Sequence, residues 1–254
     1  MTTRQRPGFP ARLAPAATPS KPKTMVVASQ RPQGLGMDSV AVRQRMVQKI
    51  AAQGVSDAEV LAAMGTVERH RFVDSALANQ AYEDTSLPIG LGQTISKPGV
   101  VARMVELLRN GSPGALGRVL EIGTGCGYQA AVLSLLANEV YSMERLRGLH
   151  DKARENLRSL RLANLHLLFG DGMQGYPKGA PYAGIIAAAG GESLPQTWID
   201  QLAIGGRLVA PMVVTGAGGS VAGQALMVLD KTLQGVRQTV LEAVHFVPLK
   251  SGVA

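Results

Sequence analysis

The hydrophobic positions of the chain change their spacing near residue 113. Between residues 38 and 112 they recur at helical spacing, which predicts one helix over "SVAVRQRMVQKIAAQ" and another over "KPGVVARMVELLRN", with Pro98 near its start. A shorter helix between these two is predicted to begin at a capping box made of Ser56 and Glu59. The segment "YEDTSLPIGLGQTIS", which lies before Pro98, is rich in turn-forming residues.

Beyond residue 113, short apolar runs alternate with segments of helical spacing. Buried strands are predicted at "RVLEI", "EVYSME", "LHLLFG", "YAGIIAAA" and "RLVAPMV". Strands that alternate with helices in this way indicate βαβ units and a parallel sheet with helices on both faces. The last third predicts two further strands with no helix between them, and therefore an antiparallel pair. The expected fold class is α/β, doubly wound and mostly parallel, with a small helical N-terminal region.

Composition divides the chain into a tail and one domain. Residues 1–37 hold six Lys or Arg residues, no Asp or Glu, and six of the fourteen prolines. This segment is predicted to be a basic, disordered tail. It carries most of the net charge of +8, so residues 38–254 are near neutral at +2. The domain at 38–254 is expected to comprise N-terminal helices and a covering segment at 38–112 and the sheet core at 113–254.

Several classes of protein do not agree with the composition. The single cysteine, Cys126, cannot form an internal disulfide, and the four histidines are scattered, so no metal site is expected. No apolar stretch reaches the ~20 residues that span a bilayer. The tail also lacks the apolar core of a signal peptide. The sequence therefore predicts a cytoplasmic protein that does not enter membranes.

The stretch "VLEIGTGCGYQ" is the first strand-to-helix turn of the predicted sheet. Glycines at 123, 125 and 127 allow a sharp turn and let a ligand approach the backbone. The dinucleotide fingerprint G-x-G-x-x-G would need a glycine at position 128, where the chain has Tyr128. The loop is therefore predicted to bind a nucleotide-like ligand other than NAD.

Three carboxylates surround this loop. Glu144 ends the second strand and is placed to accept both hydroxyls of a ribose. Asp171 ends the third strand, where it can accept a hydrogen bond from an adenine amino group. Glu121 precedes the glycines, where it can order the loop or face a ligand cation. Three carboxylates with no Lys or Arg in the glycine loop make a poor pyrophosphate site, but they suit a ligand with ribose, adenine and positive charge, which describes S-adenosylmethionine.

The same residues carry a resemblance to a known family. "VLEIGTGCGYQAAVLS", "LLFGDGMQGYP", "GGRLVAPM" and "EAVHFVPL", with the upstream "RHRFV" and "GLGQTISKP", resemble protein-L-isoaspartate O-methyltransferases from about residue 43 to residue 249. The resemblance implies a seven-stranded Rossmann-like methyltransferase sheet. It also implies methyl transfer from S-adenosylmethionine to the free carboxyl of L-isoaspartyl residues in damaged proteins, which begins their repair, without a metal.

The resemblance further implies the residues of the site. The expected cofactor-binding residues are Gln93, Glu121, Gly123, Thr124, Gly125, Gly127, Glu144, Asp171 and Gly172. Ser96 is the expected catalytic residue, and Thr94 and Ser96 are expected to bind the substrate. An alternative for Ser96 is that it only caps the helix that begins near Pro98. Cys126 is interpreted as a small loop residue rather than a nucleophile.

Partners and alternatives complete the prediction. The expected partners are isoaspartyl-containing peptides and proteins, with no nucleic acid, and the enzyme is expected to be a monomer. One alternative is a methyltransferase of the same fold that acts on another carboxylate. The other is a non-catalytic S-adenosylmethionine-binding protein whose basic tail recruits a partner.

Overall fold

The computed structural model describes residue 1 and residues 40–215 and 221–254. Apart from residue 1, the predicted tail at 1–37 lies outside the described residues. The boundary at residue 38 and the division of the domain at residue 112 remain predictions.

The N-terminal region is helical and contains a small hairpin before its last helix. Its helices are α1 (Val40–Ala52), α2 (Ala58–Thr66) and α3 (Pro98–Arg109), with two 3₁₀ turns at Arg69–Phe72 and Ser75–Gln80. The segment that the sequence marks only as turn-rich contains an antiparallel pair of strands, β1 (Leu87–Gly90) and β2 (Gln93–Ile95). Four residues of α3 form its buried apolar stripe, as predicted: Val101, Met104, Val105 and Leu108.

The predicted capping box at the start of α2 is wrong. Asp57 is the N-cap, and its side chain accepts hydrogen bonds from the backbone N–H groups of Glu59 and Val60. The N–H and the hydroxyl of Ser56 instead donate to Oε1 of Glu106 on α3, over 2.6 and 3.2 Å. Ser56 is therefore bound to the carboxylate of Glu106, which is distant in sequence, and the helix is capped by the neighbouring Asp57.

The sheet has seven strands. They are β3 (Leu116–Ile122), β4 (Ala137–Glu144), β5 (Leu165–Phe169), β6 (Tyr182–Ala187), β7 (Leu202–Thr215), β8 (Val221–Thr232) and β9 (Gly235–Val244). Their order is β5-β4-β3-β6-β7-β8-β9, with parallel pairing from β5 to β7 and antiparallel pairing of β7 with β8 and of β8 with β9. The chain moves outward from β3 to β5 and returns to β6 on the other side of β3. The carboxyl end of β3 is therefore a topological switch point, where ligands bind in open α/β sheets.

Two apolar clusters cover the two faces of the sheet. Alternate side chains of β3 point to opposite faces, so Val119 joins one cluster and Leu120 the other. The first cluster includes residues of α1 to α3, of α4 (Tyr128–Ser134) and of α5 (Arg147–Arg158). The second cluster includes Trp198 of α6 (Gln196–Gln201). The doubly wound, mostly parallel fold expected from the sequence is confirmed.

Candidate functional site

A cavity of about 440 Å³ lies at the carboxyl ends of β3 and β4, next to the hairpin of β1 and β2. The structure brings most of the predicted site residues to this cavity. Those that line it are Gln93, Thr94, Ser96, Gly123, Thr124, Gly125, Glu144 and Gly172. Three further predicted residues, Glu121, Gly127 and Asp171, lie beside the cavity rather than in its lining.

The glycine loop owes its shape to backbone conformations that favour glycine. Gly123, Gly125 and Gly127 have φ angles of 91°, 56° and 93°. Gly127 is the N-cap of α4, and a Cβ there would lie 2.7 Å from Cδ1 of Leu157. A side chain at position 127 would therefore collide with Leu157 of α5, so this glycine serves packing as well as the turn.

Glu144 connects the glycine loop to the end of β4 through hydrogen bonds. It is 5% exposed, and Oε2 accepts a hydrogen bond from the N–H of Gly125 over 2.9 Å. Oε1 accepts one from the N–H of Leu146, also over 2.9 Å. Each carboxylate oxygen can accept more than one hydrogen bond, so Glu144 retains acceptor capacity toward the cavity that it lines.

Glu121 lies beneath the glycine loop and is fully buried. Oε2 of Glu121 accepts a hydrogen bond from the hydroxyl of Ser142, and the Ser142 hydroxyl lies 2.6 Å from that of Thr124 in the loop. Burial raises the pKa of Glu121 to about 8, although the Ser142 hydroxyl favours the ionised form. Of the two roles considered for Glu121, the ordering of the loop is the one that these contacts serve.

Asp171 is held by two backbone N–H groups. Oδ1 accepts from Met173 over 2.9 Å, and Oδ2 accepts from Gly252 over 2.7 Å. The segment around Gly252 also pairs with the end of β4, because the N–H of Ala254 donates to the carbonyl of Arg145 over 2.9 Å. Residues 252–254 therefore lie across the ends of β4 and β5, a contact that no sequence pattern indicates.

Ser96 directly follows β2 and is partly exposed at the cavity. The alternative that Ser96 caps α3 is wrong: the N-cap is Lys97, and α3 has no side-chain cap hydrogen bond. Within the described part of the chain, the Ser96 hydroxyl has no hydrogen-bond partner. It is therefore available to a group bound in the cavity.

The hairpin lies against the glycine loop. Cδ1 of Ile89 on β1 is 3.2 Å from the position of a Cβ on Gly125. The ammonium group of Lys152 on α5 donates a hydrogen bond to the carbonyl of Ile89 over 2.8 Å, which connects the hairpin to α5. The hairpin and the glycine loop therefore line the same cavity.

Several cavity-lining residues were not singled out from the sequence. They are mainly apolar: Ile89, Met143, Leu146, Leu149, Gln129, Val247, Leu249 and Lys250. Their side chains follow no motif, although Met143, Leu146 and Leu149 flank Glu144 in sequence. Cys126 lines the cavity and is buried, and burial raises the pKa of its thiol, so the nucleophilic thiolate is disfavoured.

The described residues contain no group of three or more His, Cys, Asp or Glu side chains that could hold a metal ion. Among the same residues, no helix is both long enough and apolar enough to cross a membrane.

The site suits a cationic ligand that carries a nucleoside. Glu144, the buried carboxylate that lines the cavity, forms no ion pair with another described residue, so its charge lacks a neutralising cation. The amide nitrogen Nε2 of Gln129, which lines the cavity, is buried without a hydrogen-bond partner. Acceptors, a spare donor and an apolar wall in one cavity fit S-adenosylmethionine.

The sheet order and the glycine loop with its carboxylates define a methyltransferase of the S-adenosylmethionine-dependent, Rossmann-like class. A family model described as "Protein-L-isoaspartate(D-aspartate) O-methyltransferase (PCMT)" matches residues 41–254. The chain belongs to this family. The membership confirms the resemblance found in the sequence, and with it the class of enzyme and the methyl donor.

Individual proteins that carry the name of this family are also similar to the chain. The chain is 56% identical to a protein-L-isoaspartate O-methyltransferase of Methylibium petroleiphilum, over 99% of both chains. It is 59% identical to one of Leptothrix cholodnii, over 87% of this chain and 77% of the relative. A solved protein-L-isoaspartate O-methyltransferase matches with a TM-score of 0.73 and 28% identity, over 83% of this chain and 67% of the other. A putative one from Plasmodium falciparum, in complex with S-adenosyl-L-homocysteine, matches in fold with a TM-score of 0.70 and 24% identity, over 82% and 98%.

Proposed function

We propose that this enzyme methylates the free carboxyl group of L-isoaspartyl residues in damaged proteins. The methyl ester carries a methoxy group, which leaves far more easily than the oxygen of an ionised carboxylate. The nitrogen of the neighbouring backbone amide can therefore attack the ester carbonyl, and methanol is released as the succinimide closes. The succinimide can then reopen to normal aspartate. The family and the names of the relatives support this substrate, and the open hydroxyl of Ser96 at the cavity is the structural observation that carries the proposal.

The methyl donor is assigned to the side of the cavity formed by the glycine loop. S-adenosylmethionine supplies a methyl group that is already activated by its sulfonium. Glu144 would accept the ribose hydroxyls, and Asp171 with Gly172 would bind the adenine edge. The rest of the cofactor would lie against the glycine loop, at Gly123, Thr124, Gly125 and Gly127. Glu121 would act indirectly, because it orders this loop. Gln93 would contact the cofactor from the hairpin.

The acceptor is assigned to the hairpin. A carboxylate is already ionised at neutral pH, so the enzyme needs no general base to activate it. The contribution of the protein is to orient one carboxylate oxygen and to remove water from it. The Ser96 hydroxyl can donate a hydrogen bond to the other oxygen of that carboxylate, and Thr94 contributes to substrate binding from the same strand. Ser96 is therefore the proposed catalytic residue.

The partners and the setting of the enzyme form part of the same proposal. The substrates are isoaspartyl-containing peptides and proteins, and the near-neutral charge of residues 38–254 supports a protein partner over a nucleic acid. We also place the enzyme in the cytoplasm, and no helix of the described residues is both long and apolar enough to cross a membrane. We further propose that it acts as a monomer, because the cavity and its covering hairpin are built from one chain.

A pair of matched peptides tests this function. Transfer of radiolabelled methyl groups from S-adenosylmethionine is measured with an isoaspartyl peptide and with the same peptide containing normal aspartate. We expect labelling of the isoaspartyl peptide alone. Equal labelling of both peptides would indicate an enzyme for another carboxylate, and binding of the donor without labelling of either would indicate a non-catalytic protein.

A further inference from the structure

Arg69 is a fully buried cation beside the candidate site. It begins the 3₁₀ turn at Arg69–Phe72 and is 0% exposed. No carboxylate of the described residues forms an ion pair with it. The carboxylate of Asp84 interacts with it electrostatically but does not form an ion pair. A buried charge without an ion-pair partner is costly for a fold, so its retention calls for a physical reason.

The guanidinium group connects three segments through backbone carbonyls. Nε donates to the carbonyl of Ala81 over 2.8 Å, and Nη2 donates to the carbonyl of Ser96 over 2.8 Å. Nη2 also lies 3.4 Å from the carbonyl oxygen of Thr85. The third nitrogen, Nη1, is buried and has no hydrogen-bond partner in the described chain.

The same group also contacts the glycine-loop side of the cavity. Cζ of Arg69 lies 4.8 Å from the ring centroid of Tyr128, within the range of a cation–π interaction. Tyr128 is the first residue of α4, directly after Gly127, and it lines the cavity together with Ser96. A single planar side chain therefore spans from the segment that carries Ser96 to the helix that follows the glycine loop.

A second buried arginine, Arg109, lies away from the site and provides a comparison for Arg69. Arg109 is 4% exposed and also donates to two backbone carbonyls, those of Ser112 and Gly114. Its charge, however, is paired with Asp57 over 2.8 Å. Arg69 has no such pair, and it contacts two residues that line the cavity, Ser96 through a 2.8 Å hydrogen bond and Tyr128 through its ring.

We propose that Arg69 is a positioning residue for methyl transfer, which holds the Ser96 backbone in a fixed place relative to Tyr128 and so directs the Ser96 hydroxyl into the cavity. Fixing the carbonyl of Ser96 restricts rotation of that residue's backbone, and with it the direction of its side chain. The planar guanidinium is suited to this task because its donors diverge at fixed angles. This inference rests on the proposed role of Ser96.

Two lysine variants separate positioning from folding. Arg69→Lys keeps the charge but loses the divergent donors, and Arg109→Lys is the matched control at a buried arginine away from the site. Both variants are expected to melt at a lower temperature. Only Arg69→Lys is expected to lower kcat, by tenfold or more, while the Kd for S-adenosylhomocysteine stays within about threefold of the wild-type value.

A double-mutant cycle tests whether Arg69 acts through Ser96. In the Ser96→Ala background, Arg69→Lys is expected to lower kcat by less than threefold, because the hydroxyl that it positions is gone. A tenfold loss that persists in this background would overturn the inference, as would normal kcat in the single Arg69→Lys variant. If wild-type enzyme does not methylate the isoaspartyl peptide, it is the proposed function that has failed. If Ser96→Ala keeps full kcat, the proposed role of Ser96 has failed, and the inference about Arg69 is overturned with it.

A variant that does not fold is also informative. Arg69→Gln, a neutral side chain that keeps a planar donor, replaces Arg69→Lys if the lysine variant is unfolded, and the same loss of kcat is expected. If both Arg69 variants fail to fold while Arg109→Lys folds, Arg69 serves folding alone and the inference is overturned.

Discussion

The carboxylate of Glu144 accepts a hydrogen bond from the backbone N–H of Gly125 over 2.9 Å. This contact joins the end of β4 to the loop that follows β3. The carboxylate proposed to bind the ribose therefore also holds the loop proposed to bind the rest of the cofactor. Loss of Glu144 is expected to affect both.

Glu144→Ala is expected to weaken the binding of S-adenosylhomocysteine by about 1–3 kcal/mol, the usual cost of leaving buried polar partners unpaired. Isothermal titration calorimetry measures the affinity. Glu139→Ala is the control, because Glu139 lies on the same strand but pairs with Arg118 and His166 away from the cavity. Unchanged affinity in Glu144→Ala would show that the ribose assignment is incorrect.

Ser96→Ala is expected to lower turnover on an isoaspartyl peptide by about tenfold or more, since ~1.4 kcal/mol of lost transition-state stabilisation gives that factor. The melting temperature should change little, because the Ser96 hydroxyl does not cap α3. Ser86→Ala, an exposed serine just before β1, is the control for the same chemical change. Equal turnover in the two variants would remove the catalytic role from Ser96.

The protonation of Glu121 predicts how the stability of the enzyme without its cofactor depends on pH. The folded state holds the proton up to a pH of about 8, whereas the pKa of an exposed glutamate is near 4.5. Between these values the folded state binds more protons than the unfolded chain. The stabilisation is therefore complete below about pH 4.5 and is lost as the pH rises through about 8.

Glu121→Gln, which stays neutral at every pH, is expected to remove this contribution. Urea unfolding at several values between pH 5 and pH 9 gives the free energy of unfolding for both proteins. The difference between the two profiles isolates Glu121 from other titrating groups. Parallel profiles would show that Glu121 is ionised in the folded state over this whole range.

Removal of residues 1–37 is expected to leave methyl transfer to a short isoaspartyl peptide within about twofold of the full chain. The composition of this segment is that of a disordered tail, and the family model matches only from residue 41. Steady-state kinetics and the melting temperature of both proteins provide the measurement. A large loss of activity in the shortened protein would show that the tail contributes to the site.

The sequence alone was sufficient to predict the class of fold and to bring the glycine loop and Glu144 together at the ends of neighbouring strands. Alternating apolar strands and amphipathic helices leave few topologies open, because parallel strands need crossover helices. The glycines of the loop and the carboxylate at 144 occupy fixed places in such a topology. Local patterns of this kind depend on residues close together in the chain, so they are visible without a structure.

Only the tertiary structure determined how the site is held together, because its decisive contacts join residues far apart in sequence. Arg69 reaches the carbonyl of Ser96, 27 residues away, and Gly252 reaches Asp171, 81 residues away. The predicted capping box at Ser56 is wrong for the same reason, since Ser56 donates its hydrogen bonds to Glu106, 50 residues away, instead of capping the helix next to it. A buried donor or acceptor takes whichever partner the packed chain brings within reach, and local sequence spacing does not specify that partner.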